Sequence, residues 1–225
     1  MNELLKRSAD VLLSGIALLL LAPILLLLVL LIRWDSRGPA FFRQQRVGRF
    51  QRPFLVLKFR TMVDRPAEEI DQHCEAVVSS NRDPRITRLG RWLRITSLDE
   101  LPQLWNIFRG EMSFVGPRPV LQEQLEAIPP EFLSRFQVRP GLTGLAQVRG
   151  RRSLPWLKQL EADAEYVSRC SLWLDATILV RTVWVVLTGR GIYGDETKNW
   201  RAYRDQLRAA RTGYGDSIPS EDSHG

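Results

Sequence analysis

The sequence contains few of the side chains that most often bind transition metals or serve as catalytic bases. Among its 225 residues there are only two histidines and two cysteines. Cys74 and Cys170 are far apart and lack the spacing of a zinc site, so we expect reduced thiols. With His224 next to the C-terminus and His73 the only other histidine, we expect neither a Ser–His triad nor a His-rich metal site. The chemistry must therefore depend on carboxylates, Lys and Arg, with a hard metal ion as an option.

Positive charge is in excess over the whole chain. Lys and Arg number 32 against 25 Asp and Glu, which gives a formal charge of +7. Most of these cations are arginines, whose planar guanidinium can contact phosphate through two hydrogen bonds. Nucleic acid, anionic lipid and a phosphorylated small molecule all fit this balance, and net charge alone does not choose between them.

One long apolar segment, residues 11–32, lies near the N-terminus and carries no charge. As a helix it would be roughly 33 Å long, which is enough to cross a bilayer core. It is too long for the apolar region of a secretory signal peptide, and no small-residue cleavage site follows it. We therefore expect it to remain as a membrane anchor.

The flanks of this segment leave two topologies open. Pro23 lies at its midpoint and removes a helical hydrogen bond. Lys6 and Arg7 precede the segment, and a run of cations from Arg33 onwards follows it. Because positive flanks favour the cytoplasmic side, a helix that bends at Pro23 and returns to the same face fits these features. A kinked spanning helix is the alternative, since proline is tolerated in membrane helices.

The rest of the chain predicts short strands and several helices. We expect strands over 40–46 and 54–59, an exposed helix over 64–80, helices over 97–109 and 172–187, and a disordered tail from 212 onwards. If residues 82–94 are helical, Arg85, Arg88 and Arg91 share one face, although a charge run is most often a solvated surface. In the helix over 172–187, the stripe of Trp173 and Trp184 fits core packing, with the bilayer interface as the alternative.

The strongest candidate for chemistry is the adjacent pair Asp99 and Glu100. Pro102 is comfortable only in a first helical turn, so we expect both carboxylates at a helix N-terminus, where the dipole stabilises anions. Ordinary capping, including a capping box between Ser97 and Glu100, accounts for the same residues. A second signal comes from Arg118, which stands between two prolines and so has a stiff backbone suited to clamping an oxyanion.

A glycine-rich loop adds to this constellation. Gly141 and Gly144 let backbone N–H groups approach a phosphate, although the loop fits no P-loop or dinucleotide pattern. Carboxylates, arginines and glycine loops with almost no histidine suit phosphoryl chemistry, with one carboxylate as nucleophile or metal ligand.

At these residues the chain resembles the bacterial monotopic phosphoglycosyl transferases, which start capsule, exopolysaccharide, O-antigen and glycoprotein pathways. The matching stretches are 58–62 (KFRTM), 83–87 (DPRIT), 96–106 (TSLDELPQLWN), 110–119 (GEMSFVGPRP) and 139–148 (RPGLTGLAQV), and Asp163, Tyr166, Val167 and Asp175 continue them. The resemblance covers roughly residues 1–190 in the family's order. Two departures are Ala22, where many relatives have Ser before the proline, and the lack of the N-terminal helix bundle of larger relatives, so we expect the compact form.

The resemblance implies transfer of a sugar 1-phosphate from a UDP-sugar to undecaprenyl phosphate, with release of UMP and with Mg²⁺. It makes Asp99 the nucleophile of a covalent phosphosugar intermediate and Glu100 a metal ligand, and it puts Lys58, Arg94 and Arg118 in the active site. Together with Arg139, Gly141 and Gly144, these are our candidate substrate-binding residues. The family's anchor is a re-entrant helix broken at a proline, which matches Pro23.

The predicted fold is therefore α+β and helix-dominated, with a re-entrant anchor, interfacial helices and a small β element. We expect an anchor over 1–37, a cytoplasmic-face catalytic domain over 38–211 and a flexible tail over 212–225, at the inner membrane of a bacterium. The expected partners are the UDP-sugar, the polyprenyl phosphate and the lipid bilayer, without nucleic acid, and a homo-oligomer stays open. The rival hypotheses are a membrane-tethered basic adaptor for anionic lipid or nucleic acid, and a phosphatase that uses the same carboxylates.

Overall fold

The computed structural model describes residues 2–64, 83–188 and 197–215 and confirms a helix-dominated chain with small β elements. The helices are α1 (Glu3–Asp35), α2 (Arg88–Thr96), α3 (Gln103–Arg109), α4 (Gln122–Leu125), α5 (Leu145–Arg149), α6 (Trp156–Arg169), α7 (Leu172–Thr188) and α8 (Trp200–Gly215). The strands are β1 (Phe41–Val47), β2 (Pro53–Phe59), β3 (Ser113–Val115) and β4 (Gly141–Thr143). Short 3₁₀ segments lie at Arg49–Gln51, Leu98–Glu100, Pro130–Gln137 and Arg151–Ser153.

Helix α1 is continuous and contains the whole apolar segment. The Asn2 side chain caps it by accepting hydrogen bonds from the amides of Leu4 and Leu5, and Pro23 lies inside the helix. At 1.5 Å per residue the helix is about 50 Å long. In the described part of the chain it is the one helix that is long and apolar enough to cross a membrane, by length and composition alone.

The N-terminal part of α1 is fixed to the rest of the chain by polar contacts. Lys6 forms an ion pair with Asp175 of α7. The guanidinium of Arg7 donates to the carbonyl oxygens of Ile107 and Phe108 at 2.7 and 2.8 Å, which are among the last carbonyls of α3. The carbonyl of Ile107 also accepts from the amide of Gly110 at 3.0 Å, so Arg7 adds to the capping bonds at the end of that helix and stabilises it.

Apolar packing fixes the remainder of α1. Ala17, Leu18 and Leu21 pack against a buried cluster that includes Val56 and Ile107. Further along, Leu28 and Ile32 belong to a second cluster, whose other buried members are Ala40, Phe59 and Leu93. One face of α1 is therefore part of the core of the domain from Asp10 to Ile32, while the opposite face is exposed.

Strands β1 and β2 lie within one residue of the predicted strand bounds, and they pair as an antiparallel hairpin. The side chain of Asn106 in α3 fixes the hairpin, because its Oδ1 accepts from the amide of Leu57 at 3.0 Å and its Nδ2 donates to the carbonyl of Leu55 at 2.7 Å. Asn106 is 1% exposed, so these bonds are shielded from water. The hairpin is thereby held beside the segment that leads into α3.

Strands β3 and β4 form a parallel pair that brings two glycine loops together. The amide of Gly116 donates to the carbonyl of Thr143 and the amide of Gly141 donates to the carbonyl of Pro117, at 2.9 Å each. A Cβ on Gly141 or on Gly144 would come within 3.0 Å of the backbone of Gly116. These glycines are required because the two backbones approach closely.

The predicted helix over 97–109 is wrong in its first half. Ser97 has a left-handed backbone with φ of 58°, which ends α2, and a 3₁₀ turn then runs over Leu98–Glu100. Helix α3 begins only after Pro102, whose missing N–H prevents an earlier helical bond at that position. Ser97 makes no side-chain capping bond at this turn, so the capping box is absent. The predicted helix stop at Gly110 is confirmed, with φ of 88°.

Two further predictions need correction. Arg85 lies before α2 and pairs with Asp83, so it does not share a helical face with Arg88 and Arg91. Helix α7 is where we expected it, but core packing is the wrong explanation for its stripe, because Trp173 is 83% and Trp184 is 68% exposed.

The remaining predictions concern the less regular parts of the chain. The predicted helix over 64–80 lies outside the described residues except for residue 64. Helix α8 reaches Gly215, into the first residues of the predicted tail, and residues 216–225 lie outside the description. Cys170 is a free thiol, as expected.

The close approach of the glycine loops predicts a large stability difference between two substitutions. Gly141→Ala should destabilise the fold by about 3 kcal/mol, because backbone atoms must move to admit the Cβ. The matched control is Gly15→Ala in α1, where the new Cβ would meet only the Phe108 ring at 3.4 Å. The control should be neutral or stabilising by up to about 1 kcal/mol. Thermal unfolding of both purified variants in detergent checks this, and equal melting temperatures would contradict it.

Candidate active site

The two candidate acids lie on the 3₁₀ turn between α2 and α3. Leu98 and Leu101, on either side of them, pack against the buried cluster that contains Leu93 and Phe59. Because these leucines hold the turn to the core, the carboxylates between them face the adjacent cavity. The sequence predicts both acids at a helix N-terminus, and the structure places them on a turn before the helix instead.

Glu100 is held by two cations from different parts of the chain. Its Oε1 accepts from Lys58 Nζ of β2 and from Arg118 Nη2 of the loop after β3, each at 2.7 Å. Burial by itself would raise the pKa of Glu100, but the charges and hydrogen bonds of Arg118 and Lys58 outweigh it and hold the pKa well below the ordinary value. Glu100 is therefore a fixed anion at neutral pH.

Asp99 has the opposite environment. It makes no hydrogen bond to any residue in the described ranges, and Lys58, Arg94 and Arg118 act on it only through their charges. Burial raises the pKa of the Asp99 carboxyl above its ordinary value, and the neighbouring charge of Glu100 raises it further, against the opposing effect of Lys58. The adjacent acids are thus strongly different: one is engaged by cations, and the other has both oxygens available for a reaction.

The cavity in front of the acids has a volume of about 770 Å³. Its charged and polar wall includes Lys58, Arg94, Asp99, Glu100, Arg118, Gln147 and Arg151. Apolar residues also line it, among them Leu142 of β4 and Leu179, Val185 and Val186 of α7. A ligand with a phosphate group and an apolar part matches this division.

Arg151 is a residue that our sequence analysis missed. It lies in the 3₁₀ segment after α5 with a left-handed backbone, φ of 52°, and its Nη2 donates to Ser97 Oγ at 3.3 Å. Burial lowers its pKa, while the charges of Glu100 and Asp99 oppose that shift. The only signal in the sequence is the basic run directly after the motif at 139–148, which resembles a solvated surface.

The cations around the acids outnumber them. Lys58, Arg94, Arg118 and Arg151 surround Asp99 and Glu100 on the cavity wall. Arg94 is oriented by a hydrogen bond from its Nε to Thr61 Oγ1 at 3.0 Å. This excess of positive charge in a partly enclosed site attracts an anion with more than one negative charge.

Three of the predicted phosphate-binding residues do not line this cavity. Arg139 donates to the carbonyl of Gly110 at 3.0 Å and to Glu3 at 2.9 Å, so it links α1 to the end of α3. Gly141 and Gly144 pack against the backbone of Gly116. The structure therefore brings Lys58, Arg94 and Arg118 to the acids and leaves the other three in supporting positions.

The oxygen ligands at the site suit magnesium better than a transition metal. Over the described ranges, no group of three or more His, Cys, Asp and Glu residues forms a metal cluster. Asp99 and Oε2 of Glu100 make no hydrogen bond to a described residue. Mg²⁺ usually binds through one or two carboxylates together with substrate phosphates and water. The carboxylate pair therefore fits a magnesium ion that is bound jointly with a phosphate.

Comparisons with known proteins agree with this chemistry. Residues 1–189 match the family described as bacterial sugar transferase. The chain is 40% identical over 198 residues to the exopolysaccharide production protein ExoY of Rhizobium meliloti (strain 1021), a match that covers 84% of this chain and 88% of the relative. It is 44% identical over 204 residues to the UDP-glucose:undecaprenyl-phosphate glucose-1-phosphate transferase of Caulobacter vibrioides (85% and 73% covered). The protein of that name from Escherichia coli K12 is 38% identical, with 85% and 42% covered.

The contrast between the two acids predicts their titration. The pKa of Asp99 should lie above the ordinary 3.8 and that of Glu100 below 4.5. Glu100→Gln removes a negative neighbour and releases Lys58 and Arg118, so the pKa of Asp99 should fall. Arg94→Gln removes a positive neighbour, so the same pKa should rise. Carbon-13 NMR of carboxyl-labelled protein measures these shifts, and two variants that move the pKa in the same direction would refute the assignment.

Proposed function

The chain belongs to the bacterial sugar transferase family, and on this premise we propose that it transfers a sugar 1-phosphate from a UDP-sugar to undecaprenyl phosphate. The reaction releases UMP and starts the assembly of a glycan such as exopolysaccharide, capsule or O-antigen. The observation that carries the proposal is the unpaired Asp99 beside Glu100, which is held as an anion by Lys58 and Arg118. Relatives that match most of this chain are sugar-phosphate transferases by name.

The chemistry divides into two displacements at phosphorus. In the first, a carboxylate oxygen of Asp99 bonds to the β-phosphorus of the UDP-sugar, and the bond from that phosphorus to the bridging oxygen breaks, so that UMP leaves. In the second, a phosphate oxygen of the lipid bonds to the same phosphorus and the aspartyl–phosphorus bond breaks. The products are the sugar diphospholipid and a free Asp99. Two steps through one nucleophile let a soluble donor and a membrane-bound acceptor use the site in turn.

The difference between the acids supports this division of roles. Oε1 of Glu100 is engaged by two cations, which makes Glu100 a poor nucleophile. Asp99 has free oxygens, and its raised pKa makes the carboxylate more basic and hence more nucleophilic. Lys58, Arg94, Arg118 and Arg151 neutralise the phosphates, which is the main contribution that a protein makes to phosphoryl transfer.

A magnesium ion fits the same arrangement. Glu100, with its free Oε2, would hold it together with the donor's phosphates. When bound, the ion supplies positive charge that reduces the repulsion between the Asp99 carboxylate and the phosphate and stabilises the leaving UMP.

We further propose that the chain lies on the cytoplasmic face of the bacterial inner membrane and that α1 is re-entrant, with both ends on that face. Glu3 at the start of α1 is paired with Arg49 and Arg139, and Asp35 at its end accepts from the amide of Leu89 at 3.1 Å. A spanning helix would be surrounded by lipid over its apolar segment, yet residues of one domain contact both ends of α1 and pack against the segment between them. The cations on either side of the apolar segment favour the same topology.

The exposed apolar surface agrees with a location in the bilayer interface. On α1, Leu19 is 77% exposed, and α7 exposes Trp173, Val180 and Trp184. Since α7 also lines the cavity through Leu179 and Val185, this arrangement supports access to the site for a lipid phosphate at the level of the headgroups.

The nucleophile assignment predicts the effect of Asp99→Asn. Release of UMP from a UDP-sugar, with Mg²⁺ and polyprenyl phosphate, should fall about 10⁴-fold, because the attacking carboxylate is lost. Asp205→Asn on the exposed face of α8 is the matched control and should leave turnover unchanged.

Mass spectrometry with donor alone should detect a phosphosugar adduct on residue 99 of the wild type. Turnover by Asp99→Asn at the wild-type rate, or a wild type without an adduct, would refute the mechanism. Release of free sugar phosphate without a lipid acceptor would favour a hydrolase, and a chain that binds lipid or nucleic acid without releasing UMP would be an adaptor. A panel of UDP-sugars in the same assay identifies the donor.

The re-entrant anchor predicts the labelling of single cysteines in a background with Cys74→Ser and Cys170→Ala. Leu4→Cys and Arg37→Cys, near the two ends of α1, should react with a membrane-impermeant maleimide in inverted vesicles and stay unlabelled in intact spheroplasts. Leu19→Cys should be protected in both preparations, because it lies in the hydrocarbon region. Labelling of the two ends from opposite sides would establish a spanning helix instead.

A further inference from the structure

A buried ion pair lies behind the active site and has no part in the chemistry described so far. Arg135, in the 3₁₀ segment Pro130–Gln137, pairs with Asp163 of α6, and both side chains are at most 4% exposed. Arg135 Nη2 and Nε lie 2.7 and 3.2 Å from Asp163 Oδ2. Neither residue lines the cavity in front of Asp99 and Glu100.

The pair contacts the active site through the main chain. Arg135 Nη2 also donates to the carbonyl oxygen of Arg118 at 2.8 Å. The side chain of Arg118 is the one that binds Glu100, so a single residue links the buried pair to the catalytic acids. The connection from Asp163 to Glu100 therefore runs through Arg135 and Arg118.

The segment that carries Arg118 is held at four successive carbonyls. The carbonyl of Pro117 accepts from the amide of Gly141, and that of Val120 from the amide of Val47. The carbonyl of Pro119 accepts from Arg46 Nη1 at 3.4 Å. Of these four, only the carbonyl of Arg118 itself is held by a buried cation. Prolines on both sides of Arg118 restrict the backbone further, so few backbone torsions remain that could change the position of Arg118.

A contribution to the stability of the fold does not by itself explain the presence of this buried ion pair. Burial of two charges costs free energy that their attraction often fails to recover. Arg135 Nη1 and Asp163 Oδ1 are buried and have no hydrogen-bond partner in the described part of the chain, so the pair is incompletely satisfied. Burial also raises the pKa of Asp163, against the opposing charge of Arg135. Apolar side chains of similar volume would fill the same space without these costs.

We propose that Arg135 and Asp163 are positioning residues, which fix the backbone of Arg118 so that its guanidinium is directed at Glu100 and at the transferring phosphate. Asp163 orients Arg135, and Arg135 holds the Arg118 carbonyl. The inference rests on the proposed transferase function and adds two residues that never touch the substrate. A displacement of about 1 Å in a group that stabilises the transition state lowers the rate on the order of 100-fold.

A thermodynamic cycle tests the proposal. In the wild type, Arg118→Ala should lower kcat/KM about 10³-fold, mainly through kcat. The variant that combines Arg135→Met with Asp163→Leu removes both charges at once, so no lone buried charge remains and the fold should be retained. It should lower kcat/KM about 100-fold. In that background Arg118→Ala should lower kcat/KM by less than about tenfold, because a displaced guanidinium already contributes little to stabilising the transition state.

Further variants separate positioning from general stability. Asp163→Asn keeps an oxygen acceptor for Arg135 and should retain activity within about tenfold, whereas Arg135→Lys, which has a single donor group in place of the guanidinium, should lose more. If the combined variant unfolds, Arg135→Lys takes its place in the thermodynamic cycle with Arg118→Ala. The control is the partly exposed pair of Arg149 at the end of α5 and Glu165 on α6, with both changed to Gln and with turnover expected to be unchanged.

The outcomes distinguish this inference from the function on which it rests. A wild-type chain that releases no UMP overturns the proposed function and the inference with it. If the wild type turns over and the losses from Arg118→Ala and from the pair multiply as independent effects, this inference alone is overturned. Melting temperatures near that of the wild type, together with a strongly reduced second loss, are the result that we expect.

Discussion

The arrangement of the site depends on one carboxylate oxygen, Oε1 of Glu100, which accepts hydrogen bonds from Lys58 and Arg118. These residues come from a turn, a strand and a loop, so a single anion holds three parts of the chain together. In a partly buried site such charge-assisted hydrogen bonds are stronger than neutral ones, and loss of the anion would leave Lys58, whose side chain is 20% exposed, without its partner. The same contacts explain why the two neighbouring acids differ: Glu100 takes the hydrogen bonds of the cations, and Asp99 remains available.

The surroundings of this carboxylate are built to be rigid. Asn106 bonds the backbone of the hairpin that carries Lys58, and the glycine loops approach so closely that a Cβ cannot be accommodated. Arg135 reaches the main chain of Arg118 from the other side. Because each group approaches from a different element, no single segment of the chain can move without straining the others. Rigid cations lose little entropy when they bind a phosphate, which is an advantage for the proposed reaction, in which the site holds first a nucleotide sugar and then a lipid phosphate.

Helix α1 is an integral part of this architecture and more than a membrane tether. Polar contacts near its start and apolar contacts over the rest of its length make one face part of the domain core. The exposed face is apolar and suits lipid. In the proposed membrane arrangement, this double contact links the depth of the helix in the bilayer to the height of Asp99 and Glu100 above it. A reaction between a soluble donor and a membrane-bound acceptor requires such a fixed height.

The sequence by itself determined the features that depend on neighbouring residues. Local residue patterns predicted strands β1 and β2 to within a residue, the apolar run predicted the long helix, and the peptide bond guarantees that Asp99 and Glu100 lie together. It also identified the family through long motifs. It failed where the outcome depends on distant parts of the chain. Lys58 and Arg118 are 42 and 18 residues from Glu100, and only the folded chain shows that they share one of its oxygens.

Tertiary structure likewise decided which arginines reach the cavity. Arg151 lines it and Arg139 does not, although Arg139 belongs to the motif at 139–148 and Arg151 only follows that motif. The helix expected over 97–109 gave way to a turn because Ser97 and Pro102 end one helix and delay the next. The identity of a side chain is a local property, but its partners and its burial depend on the path of the whole chain. For this reason the sequence determined which chemistry was available, and the fold decided which residues carry it.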